Sequence, residues 1–385
     1  MTEGVLHVYH AGRGLNLFEH VPRSCSIAFS GTPPPPKHVL LFVGGLYDNF
    51  NAPRYVNDLA GLFPVHEKQE WRVMHVQLSS NGRAWGFLSI DRDVEEIAIC
   101  VDFLRSKLYR NDKLDVVLMG HSTGCQDVMR YMTAPNPLDS RKPCRPLIQG
   151  AILQAPVSDR DSTLQSMADG PEVKYAYDAL MKIVEGTPEK DYRDTILPMN
   201  LMRPMFGVVP VSISRFLSLV SPGSPDNPSN EDFFSHDLHD STLRETFGSI
   251  GRKKMLNRST GDSQRDLQSI LVLMSDSDEH VGAKISQKAL LSRWKDAMRE
   301  DTGASIHGDS AVILNALHDV GGDDWPSKEA RLVVLRKKVI HYLKHVVGGV
   351  DHYADEIWHK DGDKVMSMKV GDGRSIEDQV GVLKL

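Results

Sequence analysis

Residues 114–131 read LDVVLMGHSTGCQDVMRY, and they pose one question: is Ser122 a nucleophile on a tight turn, or a serine in an ordinary glycine-rich loop? The pattern Gly120-His121-Ser122-Thr123-Gly124 occurs once in the chain. At average residue usage it arises by chance roughly 0.2 times in a sequence of this length, so its surroundings decide. A run apolar on both faces (116–119) precedes it, and a helical pattern, CQDVMRYM, follows it. Strand, sharp turn and helix in that order form a nucleophile elbow. Glycines flank the serine there because a Cβ would meet neighbouring backbone and the hydroxyl could not project above the sheet.

Working outward, further short apolar runs bounded by turns occur at 26–29 (SIAF), 38–45 (HVLLFVGG), 71–78 (WRVMHVQL), 147–156 (LIQGAILQAP) and 269–276 (SILVLMSD). They read as strands of a buried parallel sheet. Between them lie helical patterns. In residues 89–109, Val94, Ile97, Val101 and Leu104 recur at helical spacing behind Ser89 or Asp91 as a cap, and residues 326–346 start with Pro326, which a first turn accepts. The alternation predicts an α/β fold, a mostly parallel central sheet flanked by helices with right-handed crossovers. It breaks at residues 157–250, read as a cap or lid insertion between later strands, with 1–156 and 251–347 as the core and 348–385 as a polar C-terminal extension. The insertion contains 15 Asp and Glu against 8 Lys and Arg. That excess is either a solvated surface or an acidic cover that draws cationic groups to a pocket.

Composition narrows the function classes. With 385 residues, 41% hydrophobic and 25% charged, the chain can bury a large core. No stretch approaches the roughly 18–20 apolar residues of a membrane span, and the first twenty residues lack a basic region followed by an apolar block, so a cytoplasmic protein is expected. The net charge of −6 argues against a nucleic-acid partner. Cys25, Cys100, Cys125 and Cys144 fall in no metal-like spacing and read as reduced thiols.

A serine hydroxyl attacks only when a histidine takes its proton and a carboxylate orients that histidine. In this architecture the acid follows a later strand and the histidine comes last. SILVLMSDSDEHV offers Asp278 in the turn beyond the strand, with Asp276 as the alternative. Of the seven histidines after it, His318 stands in the loop before the final helix and is the favoured base, with His307 as the alternative. His280 sits too close in sequence to the acid, and His341 and His345 lie on the final helix. The oxyanion formed in the reaction needs donors: the backbone N–H of Thr123, and that of Leu46 in GGLYDN after the strand 38–43, with Tyr47 in reserve. Such a site requires no metal or organic cofactor.

At this point the chain resembles the α/β-hydrolase superfamily. HVLLFVGGLYDNF (38–50), LSSNGRAWGFLSIDRDVEEI (78–97) and VVLMGHSTGCQDVMRY (116–131) together look like a narrower fungal and plant family, first catalogued as a domain of unknown function, that includes a fusarinine C esterase of siderophore metabolism. The resemblance spans most of residues 20–347. It implies hydrolysis of the ester bonds of an amine-bearing hydroxamate siderophore inside the cell to release iron, which arrives with the substrate. By position it assigns Ser122 as nucleophile, Asp278 as acid and His318 as base. Gly44-Gly45 stands where the wider superfamily commonly has His-Gly, so the second oxyanion donor stays open. The expected partner is a small-molecule ester, cationic in the siderophore case, with no membrane or nucleic acid involved. A general carboxylesterase, lipase, thioesterase or peptidase on the same residues, or a non-catalytic binder of this fold, are the competing readings.

Overall fold

Alternate side chains leave opposite faces of a strand, so a run that is apolar at every position needs partners on both sides. The computed structural model describes residues 3–21, 35–50, 52–63, 70–256, 268–299, 303–321 and 327–347, and it supplies those partners. Among the described residues one sheet holds β1 (Gly4–His10), β2 (Leu15–His20), β3 (His38–Val43), β4 (Trp71–Val76), β5 (Asp115–His121), β6 (Gly150–Gln154), β7 (Gln268–Ser275), β8 (Ala304–Ile306) and β9 (Ala311–Ile313). Their order is β1-β2-β4-β3-β5-β6-β7-β8, with β9 also on β7. β1 and β2 are antiparallel to their neighbours, and every pairing from β4 to β9 is parallel.

The helices before β6 are α1 (Tyr55–Gly61), α2 (Ile90–Phe103) and α3 (Gly124–Thr133). Between β6 and β7 come α4 (Asp159–Asp169), α5 (Pro171–Glu185), α6 (Met199–Phe206), α7 (Ile213–Val220), α8 (Asp240–Glu245) and α9 (Ile250–Lys253), and α10 (Gln287–Arg299) and α11 (Ser327–Val347) follow β7. On β3, Val39, Leu41 and Val43 pack with the α2 and α3 side while Leu40 and Phe42 pack with the α1 and α11 side, and β5 divides in the same way between Val116, Leu118 and Val117, Met119. At about 1.5–3 kcal/mol for each such side chain fully buried, this two-sided packing makes the carboxyl ends of β3, β5 and β7 a rigid rim.

Several elements differ from the sequence expectation. The run 26–29, Cys25 and the extension 348–385 lie outside the described residues. β1 and β2 form a hairpin whose outer strand is largely exposed, with no apolar run to announce it, and β8 and β9 are three residues each, too short for periodicity to reveal. Residues 157–250 do not form one body. Leu180, Met202, Val211, Phe216 and neighbours build their own apolar cluster around Trp85, whereas Phe233, Phe234, Leu243, Phe247 and Ile250 join the main core, where Phe247 stacks on Trp294 at 5.0 Å.

At the seam between α7 and the core, the buried Arg215 guanidinium pairs with Glu231 and donates to the Trp85 carbonyl at 3.1 Å. Asp93 lies in the same interior. Its Oδ1 has no hydrogen-bond partner among the described residues, and burial pushes its carboxyl up to about 7.

Two outcomes follow from this packing. A Cβ on Gly124 would lie 2.4 Å from the Val43 carbonyl oxygen, so Gly124→Ala is expected to cost about 2–3 kcal/mol in urea denaturation, and a variant as stable as the wild type would show that the elbow has room. The folded Asp93 carboxyl also holds its proton more tightly than the unfolded one, so its contribution to stability is complete below about pH 4 and is lost as pH rises through about 7. Asp93→Asn, with no charge to bury, should therefore melt above the wild type at pH 8, by a margin that shrinks towards pH 5. A margin constant over that range would contradict the assignment.

Candidate active site

β5 ends at His121 and α3 begins at Gly124, which leaves Ser122 at the turn with φ 55°, a left-handed backbone that few residues other than glycine adopt. Its N–H donates to the Gln154 carbonyl at the end of β6, at 3.1 Å. The loop after β3 passes directly opposite. A Cβ on Gly45 would sit 2.7 Å from the Ser122 Cβ and 3.2 Å from its Oγ, so only glycine allows this approach. The Gly45 N–H donates to Asp48 Oδ2 at 2.7 Å, and the Leu46 N–H donates to Thr123 Oγ1 at 2.8 Å. The amide expected to meet an oxyanion is thus held on the Thr123 hydroxyl in this state, beside the cleft that both residues line.

Asp278 lies in the turn after β7, its side chain almost wholly buried, and His318 in the turn between β9 and α11. His318 Nδ1 is 2.8 Å from Asp278 Oδ2. The other carboxylate oxygen accepts the His280 N–H at 2.9 Å, and the His318 N–H donates to Glu279 Oε2 at 2.9 Å. A carboxylate on Nδ1 fixes the tautomer that leaves Nε2 free to accept a proton. The alternatives lie elsewhere: Asp276 is exposed at the end of the strand, and His307 packs on Tyr342 at 5.3 Å and His345 at 4.7 Å, beside α11.

The setting of His318 rests on Gln154, which no sequence pattern marks. Its Nε2 donates to the His318 carbonyl at 3.3 Å, while its Oε1 accepts from the Tyr55 hydroxyl at 2.7 Å and faces His121 Nδ1 at 2.6 Å. The oxygen is an acceptor, so His121 carries its proton on Nδ1. Burial, reinforced by the nearby His318, lowers the His121 pKa to about 3 and keeps its ring neutral. The His121 and His318 rings lie 4.8 Å apart, and His280 meets His318 edge-on at 4.6 Å. His280, set aside in the sequence for its closeness to Asp278, therefore belongs to the site.

Ser122 and His318 open together into a cleft of about 660 Å³. Leu46, Tyr47, Val157, Met205 and Phe206 supply its apolar lining, and Asp48, Asp159, Glu279 and Asp319 its charged lining, with no Lys or Arg among the described residues of its wall. Burial raises the carboxyls of Asp48 and Asp159, the latter to about 6. The expected acidity is present but its source differs: among the described residues only Asp159 comes from the insertion, and several insertion acids are paired with Arg160, Lys174 or Arg215. One group among the described residues, Asp161, His236 and Asp237, could hold a metal ion; it does not line the cleft, and Arg160 already bonds Asp237 at 2.6 Å and 3.0 Å. No helix among the described residues is long and apolar enough to cross a membrane.

Comparison with known proteins bears on this geometry. The chain is 34% identical over 335 residues to the fusarinine C esterase sidJ of Aspergillus fumigatus, covering 80% of this chain and 90% of that protein. It is 32% identical over 362 residues to an esterase of Emericella nidulans, covering 86% and 92%. Among solved structures, the siderophore hydrolase EstB from Aspergillus fumigatus superposes with a TM-score of 0.72 at 32% identity, covering 90% of this chain and 98% of that one. The sheet, the flanking helices and that superposition give the α/β-hydrolase fold. Residues 2–344 match the family described as a protein of unknown function, DUF1749, and with sequence, fold and relatives in agreement the chain belongs to that family.

Proposed function

We propose that the chain is a serine esterase that cleaves ester bonds of a hydroxamate siderophore of the fusarinine C type. The observation that carries the reading is that Ser122 and His318 wall one cleft while a buried Asp278 carboxylate holds His318 Nδ1 at 2.8 Å. Ser122 Oγ attacks the ester carbonyl carbon as His318 Nε2 takes its proton, and Asp278 stabilises the imidazolium. The carbonyl oxygen becomes an oxyanion facing the N–H of Thr123 and that of Leu46, which exchanges the Thr123 hydroxyl for it. Collapse breaks the bond to the leaving alcohol, which receives the proton from His318. A water that gives a proton to His318 then attacks the acyl-serine, and the acid leaves as the proton returns to Ser122.

The substrate class is supported by relatives named for siderophore hydrolysis and by a cleft whose charged lining among the described residues, Asp48, Asp159, Glu279 and Asp319, is acidic. Such a lining favours the amines of the siderophore over an anionic or purely apolar ester. On this reading the reaction takes place in the cytoplasm, with iron as cargo of the substrate and no resident cofactor, and serves iron homeostasis.

The test is mass spectrometry of iron-loaded and iron-free fusarinine C, and of its N-acetylated form, after incubation with the wild type and with Ser122→Ala. The wild type is expected to release hydroxy-acid fragments, roughly tenfold faster from the free-amine form, and Ser122→Ala to be slower by about 10⁴-fold or more. Fragments formed equally fast by Ser122→Ala would overturn the reading.

A further inference from the structure

The loop that carries the Leu46 amide is gripped from two sides. On the core side, Asp48 Oδ2 takes the Gly45 N–H at 2.7 Å and Thr123 Oγ1 takes the Leu46 N–H at 2.8 Å. On the other side the grip comes from the helical insertion. The Tyr47 hydroxyl donates to the carbonyl of Phe206, the last residue of α6. The Tyr47 ring stands edge-on to Trp85 at 5.7 Å, Trp85 meets Phe206 at 5.8 Å, and the Leu46 side chain packs against the insertion's apolar cluster. Tyr47 itself has φ 69°, a backbone that an aromatic residue keeps only where its surroundings over-determine it.

The far end of this link is the glycine that closes α6. Gly207, immediately after Phe206, sits at φ 69°, ψ −162°, a region that essentially only glycine reaches. Apart from its chain neighbours, the described residues place one atom within 4 Å of where its Cβ would be, the Tyr47 hydroxyl oxygen at 3.8 Å. The Phe206–Gly207 peptide is held by the last bond of α6, from the Gly207 N–H to the Arg203 carbonyl at 3.1 Å, so the Phe206 carbonyl moves with the end of that helix. Met205, Phe206 and Gly207 also line the cleft, so a substrate filling the cleft presses on the same few residues that hold Tyr47.

From this we propose that Tyr47 is a positioning residue that couples the end of α6 to the oxyanion amide. Phe206 holds Tyr47, Tyr47 holds the adjoining Leu46 peptide, and the pose of α6 on the substrate sets how well the Leu46 N–H meets the oxyanion. The inference rests on the reading of Ser122 as nucleophile and of the Leu46 N–H as an oxyanion donor. It goes beyond that reading by making the donor responsive to the insertion. Because the Tyr47 hydroxyl is spent on the Phe206 carbonyl, its removal should affect the transition state more than substrate binding.

The experiment measures kcat and KM for ester hydrolysis by wild type, Tyr47→Phe, Gly207→Ala and the double variant, each normalised to active sites titrated with a fluorophosphonate, and the activity of Ser122→Ala per mole of folded protein. Tyr47→Phe keeps the ring and deletes one hydrogen bond. It is expected to lower kcat per titrated site about tenfold with KM within about twofold. Gly207→Ala strains the backbone that closes α6 beside the Phe206 carbonyl and should give the same defect, and the double variant should be no slower than the worse single one, since both disturb one link. A Tyr47→Phe enzyme with wild-type kcat per titrated site, a loss confined to KM, or two losses that multiply in the double variant would overturn the coupling while an inactive Ser122→Ala left the esterase reading standing. A Ser122→Ala variant that kept its activity would remove that reading, and the coupling with it.

Discussion

The site depends on one backbone conformation, the left-handed turn at Ser122. It places the hydroxyl above the sheet only because no side chain fills the space at Gly45 and Gly124, where a Cβ would lie 2.7 Å from the Ser122 Cβ and 2.4 Å from the Val43 carbonyl oxygen. A strained turn persists where its surroundings over-determine it. Here β3 and β6 flank β5 in parallel register, both faces are buried, and the Ser122 amide is tied to Gln154. The same turn opens α3, so the positive end of a helix of ten residues starts beside the proposed nucleophile, where negative charge would develop in the proposed reaction.

The second half of the machinery is brought to that turn by different forces. Asp278 and His318 come from separate loops, and their meeting is stabilised by bonds that satisfy the rest of each group: the His280 amide on the acid, and Glu279 and Gln154 on the His318 backbone. A buried carboxylate left unpaired would be costly, so this set of bonds fixes both residues together. The neutrality of His121 belongs to the same account. A second cation 4.8 Å from His318 would oppose the imidazolium of the proposed reaction, and burial keeps His121 uncharged.

Much of this was legible in the sequence because it is written in local patterns. The elbow combines two glycines with a period change from strand to helix, and the strands that carry the acid and the elbow are continuous apolar runs bounded by turns. Chain order points to Asp278 and His318 once Ser122 is placed, and those two side chains meet at 2.8 Å. What the sequence hid depends on long-range contact. Gln154 looks like any polar residue at the end of a strand, yet its partners come from α1, β5 and the loop after β9. Chain proximity to Asp278 argues against a role for His280, yet a turn brings its ring against His318. The acidic insertion was legible as composition, but several of its charges are spent on neighbouring cations, and the acids at the cleft come mainly from core loops. β8 and β9 acquire strand character only by pairing with β7.

The central claim is that the imidazole of His318 activates the Ser122 hydroxyl. Intact-mass and peptide-mass analysis of the protein treated with a fluorophosphonate tests it most directly. The account requires a single phosphonyl adduct on Ser122 in the wild type, forming at least about a hundredfold more slowly in His318→Ala. An adduct on another residue, or one that forms on Ser122 at an unchanged rate without the imidazole, would contradict it.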